Sequence, residues 1–212
     1  MNNEEYFELL NNEKKTLDEL RKQGVELAQG VIGKNLFEDD LFFCASLNRC
    51  INLIDGFYLL LNARNLTCAG AILRLQIDNC LRTYAAFIAA DRNKVIECII
   101  NGRIIDKERD TQGHMMADGY LKDKLGEMDP SIVAIYDNTS GYIHLSEKAF
   151  YETVINCDNG RVEFQIGREL PERRNPVLVE MLGAFTHFIR LHYKMVTAVV
   201  DSKQRYDLAN SD

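Results

Sequence analysis

A chain of 212 residues with 46% apolar and 27% charged side chains can bury a full core within one domain. Its net charge of -7 argues against wholesale coating of nucleic acid, which needs a broad basic surface, although a local basic patch remains compatible with it. The polar opening MNNEEYFELLNNEKK is no signal peptide, and apolar runs such as FYLLL and YAAFIAA are too short to span a bilayer, so a cytoplasmic protein without membrane contact is expected.

Residues 1–30 read as an amphipathic helix, with Leu9, Leu10, Leu17, Leu20 and Leu27 among alternating charges and closure near Gly30 and Gly33. A second helix is expected over about 38–64 and a third over 66–90, where Leu66, Gly70, Leu73, Ile77, Leu81, Tyr84 and Ile88 recur at helical spacing. Asp91 can cap a shorter helix through Ile100. Residues 101–128, rich in charge and glycine, show the weakest period, with a helix expected in their second half. Asp129-Pro130 is a start signal for a helix carrying YDNTSGYIHLS, so that the central helices occupy 38–147. The period then changes. FYETVINCDNGRVEFQIG, about 150–167, has two β-prone runs around Asp158-Asn159-Gly160, a hairpin signal. Asn175-Pro176 repeats the cap-plus-proline start for a last helix over 175–203, with a frayed tail beyond Lys203. The expected fold is therefore all-α, an antiparallel bundle of long helices with one small hairpin in a single domain over 1–212. The six cysteines show no C-x-x-C pairing and read as small hydrophobes in a reducing compartment.

Two groups of residues carry chemistry. On a helix Tyr136, Ser140 and His144 fall at i, i+4 and i+8 and share a face with Val133 and Ile143. A phenol, a hydroxyl and an imidazole on a packed face are either a satisfied polar seam or a pocket in which His144 acts as acid, base or phosphate donor. Arg74, Asp78 and Arg82 repeat the spacing on the third helix, as a surface ladder or with Arg74 pointing inward to meet the His144 face or an anion. The second group is RDTQGH, Arg109 to His114. Gly113 allows a bent segment that brings the two ends together, and an arginine with a histidine suffices for metal-independent cleavage of RNA through its 2′-hydroxyl. Two basic groupings could assist, Arg103, Lys107, Arg109, Lys122 and Lys124, or Arg161, Arg168, Arg173 and Arg174. His187, Arg190 and Lys194 read as a solvated stripe and His192 as a core or interface histidine. No metal-ligand spacing, phosphate loop or nucleophile elbow occurs, so no cofactor is expected.

A helical bundle bearing Arg109-Asp110-Thr111-Gln112-Gly113-His114 resembles the HEPN superfamily of small bacterial helical proteins, whose motif places a polar residue after the arginine, as Asp110 does here. The resemblance implies a homodimer with the arginine and histidine of two subunits around a shared cleft. It also implies either RNase activity in toxin–antitoxin or phage-defence systems or an inactive relative. In those RNases the motif sits at a packed helix start, whereas here it falls in the least regular segment. Separately, AGAILRLQIDNCLRTYAAF with YDNTSGYIHLS resembles an uncharacterised bacterial family related to abortive-infection proteins, over roughly residues 40–150. The matching positions are Arg74, Asp78, Tyr136, Ser140, Tyr142, His144 and Ser146. Two functions are therefore expected to compete. One is a defence or toxin-type RNase using Arg109 and His114, or Arg74 and His144, with RNA and an antitoxin-like protein as partners. The other is a non-catalytic module for dimerisation or partner binding, in which the same residues are structural.

Overall fold

The computed structural model describes residues 1–144, 153–158, 160–167 and 170–209. Ser146, Arg168 and Asn159 of the expected sites and turn lie outside the described residues. Helices α1 (Asn3–Ile32), α2 (Glu38–Asn62), α3 (Leu66–Ile88), α4 (Arg92–Ile100), α5 (Asp118–Gly126) and α6 (Ser131–Ile143) precede the hairpin strands β1 (Val154–Asp158) and β2 (Arg161–Phe164). A 3-10 turn (Glu172–Arg174) then leads into α7 (Asn175–Ala209).

Side chains at the starts of α1, α3 and α4 cap those helices. At α1 the Asn2 side chain accepts from Glu5 N (2.8 Å) while the Glu5 carboxylate accepts from Asn2 N (3.0 Å), a full capping box. Gly33, at φ +52, closes that helix by donating to the Gln29 carbonyl (3.1 Å). Phe37 has no side-chain acceptor, so its carbonyl takes the Asp40 N–H (3.1 Å) while Asp40 accepts from Phe37 N (2.7 Å). Asn65 and Asp91 cap α3 and α4 through Cys68 N and Lys94 N (both 3.1 Å).

The long helices α1, α2, α3 and α7 form a ring in which each packs on two neighbours. Side-chain ties give the directions. Asn175, at the start of α7, donates to the Asn2 carbonyl (3.2 Å) and accepts from Arg64 just past α2 (2.8 Å). At the other end Lys203 pairs with Asp40 at the start of α2. Successive passes therefore alternate along α1, α2 and α3, and α7 runs parallel to α1 and α3. The return pass is α5 and α6, laid antiparallel on α3. Arg82 meets Asp118 there, and Gly70 meets Tyr142 so closely that a Cβ at Gly70 would lie 2.4 Å from the ring. Between the four long helices Phe57 stacks on Phe185 (4.0 Å between ring centres), and the Tyr6 hydroxyl donates to the Leu61 carbonyl (2.9 Å).

The hairpin pairs Asp158 with Arg161, with Gly160 at φ +72 in the tight turn, as its sequence demands. Several helix ends differ from expectation, among them α6, which closes at Ile143. The tail past Lys203 stays helical to Ala209, because Tyr206 packs edge-on against Phe37 (5.3 Å) and Asp207 accepts from Asn35 (3.2 Å). Asn175 is no cap but a fully buried clamp within the helix. All six cysteines are free; Cys50, Cys80 and Cys98 are buried, Cys44 is half-buried, and Cys68 and Cys157 are exposed. No helix among the described residues is long and apolar enough to cross a membrane.

Candidate functional site

Arg109 to His114 forms a tight turn against the end of α3. Its backbone is fixed on both sides: Ala90 N donates to the Arg109 carbonyl (2.9 Å) and Thr111 N to the Ile88 carbonyl (3.0 Å). Within it, Asp110 N donates to the His114 carbonyl and Gly113 N to the Asp110 carbonyl (both 3.0 Å), with Gly113 at φ +89. The glycine does bring the two ends of the hexapeptide together, by a turn and not by a bent helix.

The buried carboxylate of Asp110 organises this turn. It accepts from Gln112 N (2.9 Å), His114 N (2.8 Å) and the Tyr120 hydroxyl (2.5 Å). The Tyr120 bond, then the two backbone donors, hold its carboxyl at about 2, and the same bond pushes the Tyr120 phenol up to about 12. His114 lies over Tyr120 (5.4 Å between ring centres, 23° between planes), with Nδ1 3.6 Å from Asp110. Nε2 is thus turned away from the carboxylate on a ring that is 56% exposed. Arg109 is exposed, and its guanidinium donates to the Gly113 carbonyl. The turn carries an exposed imidazole 3.6 Å from a carboxylate and, five residues earlier, an exposed guanidinium held on the Gly113 carbonyl. Tyr120, which completes it, escaped sequence reasoning, since nothing local ties it to Asp110.

The second group separates. Arg74 is half-buried and lies over the Tyr136 ring (3.9 Å), which Lys122 also approaches (5.5 Å). Asp78 does not meet Arg74 but pairs with Arg82 (3.4 Å) and Arg49 (3.9 Å). Ser140 sits half-buried on α6. His144 leaves the expected face: α6 ends at Ile143, and His144 is extended (φ -108, ψ 147) and exposed. With Tyr142 against Gly70 on antiparallel helices, His144 falls six residues from Arg74 along α3, about 9 Å of helix rise.

The basic residues near the turn are largely neutralised, Lys122 by Asp137 (3.1 Å) and Lys124 by Glu127 (3.0 Å). On α7 His187 is not simply solvated but meets Asp129 (3.0 Å). His192 is fully buried, with Nε2 3.0 Å from the Ser46 hydroxyl. That hydroxyl donates to the Phe43 carbonyl (2.8 Å), so His192 donates from Nε2 and carries no proton on Nδ1. Among the described residues no cluster of metal ligands occurs. Comparison with family models, with curated proteins and with solved structures returns no match.

Proposed function

We propose that the chain is an HEPN-like bacterial defence or toxin-type protein that cleaves RNA without a metal, with Arg109 and His114 as its reacting pair. What supports this reading is that one hydrogen-bonded turn carries both exposed Arg109 and exposed His114, with His114 Nδ1 3.6 Å from the Asp110 carboxylate. With its proton on Nδ1 toward Asp110, His114 takes the proton of a 2′-hydroxyl at Nε2. The freed oxygen attacks the adjacent phosphorus, Arg109 stabilises the charge gathering on the phosphoryl oxygens, and the 5′-oxygen leaves to give a 2′,3′-cyclic phosphate. The proton that the 5′-oxygen needs comes from a second acid, which a homodimer supplies as His114 of the other copy.

A second reading rests on its own observation. Asp110 is committed to backbone donors and Arg109 to the Gly113 carbonyl, so the turn also works as a plug at the end of α3 in a non-catalytic dimerisation or partner-binding module, for an antitoxin-like protein for example. One experiment separates them. The purified protein is incubated in chelator with a single-stranded RNA and with its all-deoxy counterpart, beside Arg109→Ala, His114→Ala and His144→Ala. RNase action requires cyclic-phosphate products that vanish in the first two variants, persist in the third and never arise from the deoxy strand. Histidine-independent cleavage, or none, leaves the module.

A further inference from the structure

On a different face, α2, α3 and the segment after α4 enclose a groove of about 390 Å³. Its formation begins in the sequence Asn101-Gly102-Arg103. Gly102, at φ +65, ends α4, with Gly102 N donating to Ile99 O (3.0 Å) and Arg103 N to Cys98 O (2.8 Å). That double closure turns the chain back and places Arg103, Ile104 and Ile105 along the groove. Arg49 from α2 and Arg82 from α3 line the same space, with Asn79 at its base and Phe42, Ile99, Ile104 and Ile105 as apolar walls.

Three arginines and a single carboxylate, Asp78, line the groove. Arg49 and Arg82 converge on that carboxylate at 3.9 and 3.4 Å. Arg103 and Arg82 are also tied to Glu97 (3.0 Å) and Asp118 (2.6 Å), neither of which lines the groove, so these acids fix the guanidinium positions from outside. Arg82 retains a buried Nη1 with no hydrogen-bond partner, a donor whose burial is unfavourable until an acceptor meets it.

We propose that this groove binds a small phosphate monoester with a flat apolar body, the chemistry of a mononucleotide. A phosphate monoester brings several strong acceptors, enough to meet the unpartnered Arg82 Nη1 together with the guanidinium groups of Arg49 and Arg103. The apolar walls and the volume fit a body of nucleoside size. The inference stands apart from RNA cleavage, since none of Arg109, His114 and Tyr120 lines the groove.

The test is calorimetric titration of the whole chain with AMP, adenosine and inorganic phosphate. Arg49→Ala and Arg103→Ala remove partly exposed arginines without opening the core, and Arg21→Ala, paired with Asp55 on another face, is the control; circular dichroism confirms that each variant folds. AMP is expected to bind, each groove variant to weaken it about tenfold or more, the control to leave it unchanged, and adenosine and free phosphate to bind more weakly than AMP. No AMP binding up to about 1 mM, an affinity indifferent to Arg49 and Arg103, or adenosine binding as tightly as AMP, each overturns the proposal.

Discussion

Cutting the ion pair between Lys203 and Asp40 tests whether α7 is locked to the α1–α2 junction. The two side chains are only 4% and 3% exposed, so neither charge can turn to water if its partner is lost. Breaking a pair of this kind by removing one member costs roughly 3–5 kcal/mol. The surroundings make the two halves unequal. In Lys203→Met the Asp40 carboxylate keeps the Phe37 N–H (2.7 Å) and the first turn of α2, whose dipole favours an anion. In Asp40→Asn the ammonium loses its carboxylate and is left with a neutral amide oxygen and the face of Phe37, 4.7 Å from its ring centre. Asp40→Asn is therefore the more damaging change. At roughly 2–4 °C per kcal/mol for a domain of this size, it lowers Tm by about 6–20 °C. Asp40→Asn with Lys203→Met buries no charge and is expected to be more stable than Asp40→Asn alone. Urea unfolding followed by circular dichroism at two salt concentrations measures all three, with little salt dependence expected of a buried pair. A loss below about 1 kcal/mol in Asp40→Asn, or strictly additive losses, refutes the clamp.

Other consequences follow from packing and protonation. Burial holds His192 near 3 against 6.5 in the unfolded chain, so only the unfolded state takes up its proton as pH falls between those values. Stability is then fully present above pH 6.5 and declines toward pH 3 by up to about 1.4 kcal/mol per unit; His192→Gln flattens that slope in urea titrations, and an unchanged slope refutes the assignment. Gly70→Ala drives a Cβ to 2.4 Å from the Tyr142 ring and should cost about 1–3 kcal/mol by thermal unfolding; a neutral result means that α6 is free to shift. Tyr120→Phe removes the largest influence on Asp110, so its carboxyl should rise from about 2 toward 3.8 in an NMR titration of the side-chain carbon. In native protein a thiol reagent should modify exposed Cys68 and Cys157 first, with Cys50, pushed up to about 12 by burial, reacting only on unfolding.

Whatever rests on neighbours within one turn was legible in the sequence. Asp91 caps α4 as its position suggested, and Gly33 stops α1 through a backbone shape that other residues resist. Gly113 announced the closure of the arginine–histidine hexapeptide, and Gly160 the hairpin. What depends on distant partners was not legible. Asn175 reads locally as a cap, yet its side chain is taken by Arg64 and the N-terminal residues, more than 100 positions away in each case. His144 reads as the next turn of α6, but the helix stops one residue earlier. The groove arginines come from three elements, and Arg49 in particular carries no mark in its own neighbourhood.

The two proposals share one stretch of chain, since residues between α4 and α5 supply both Arg103 and the Arg109–His114 turn. They remain separable because backbone bonds hold that stretch at both ends. Arg103 N is tied to Cys98, and Arg109 and Thr111 are tied to Ala90 and Ile88. Shortening an arginine or a histidine leaves those bonds intact, so neither site need collapse when the other is altered. A His114→Ala variant should therefore bind AMP as the unaltered chain does, and Arg103→Ala should leave any RNA cleavage in place. Coupled loss of both activities in these single variants would mean that the segment moves as one unit, and that its main-chain anchors are weaker than the 2.8 to 3.0 Å distances imply.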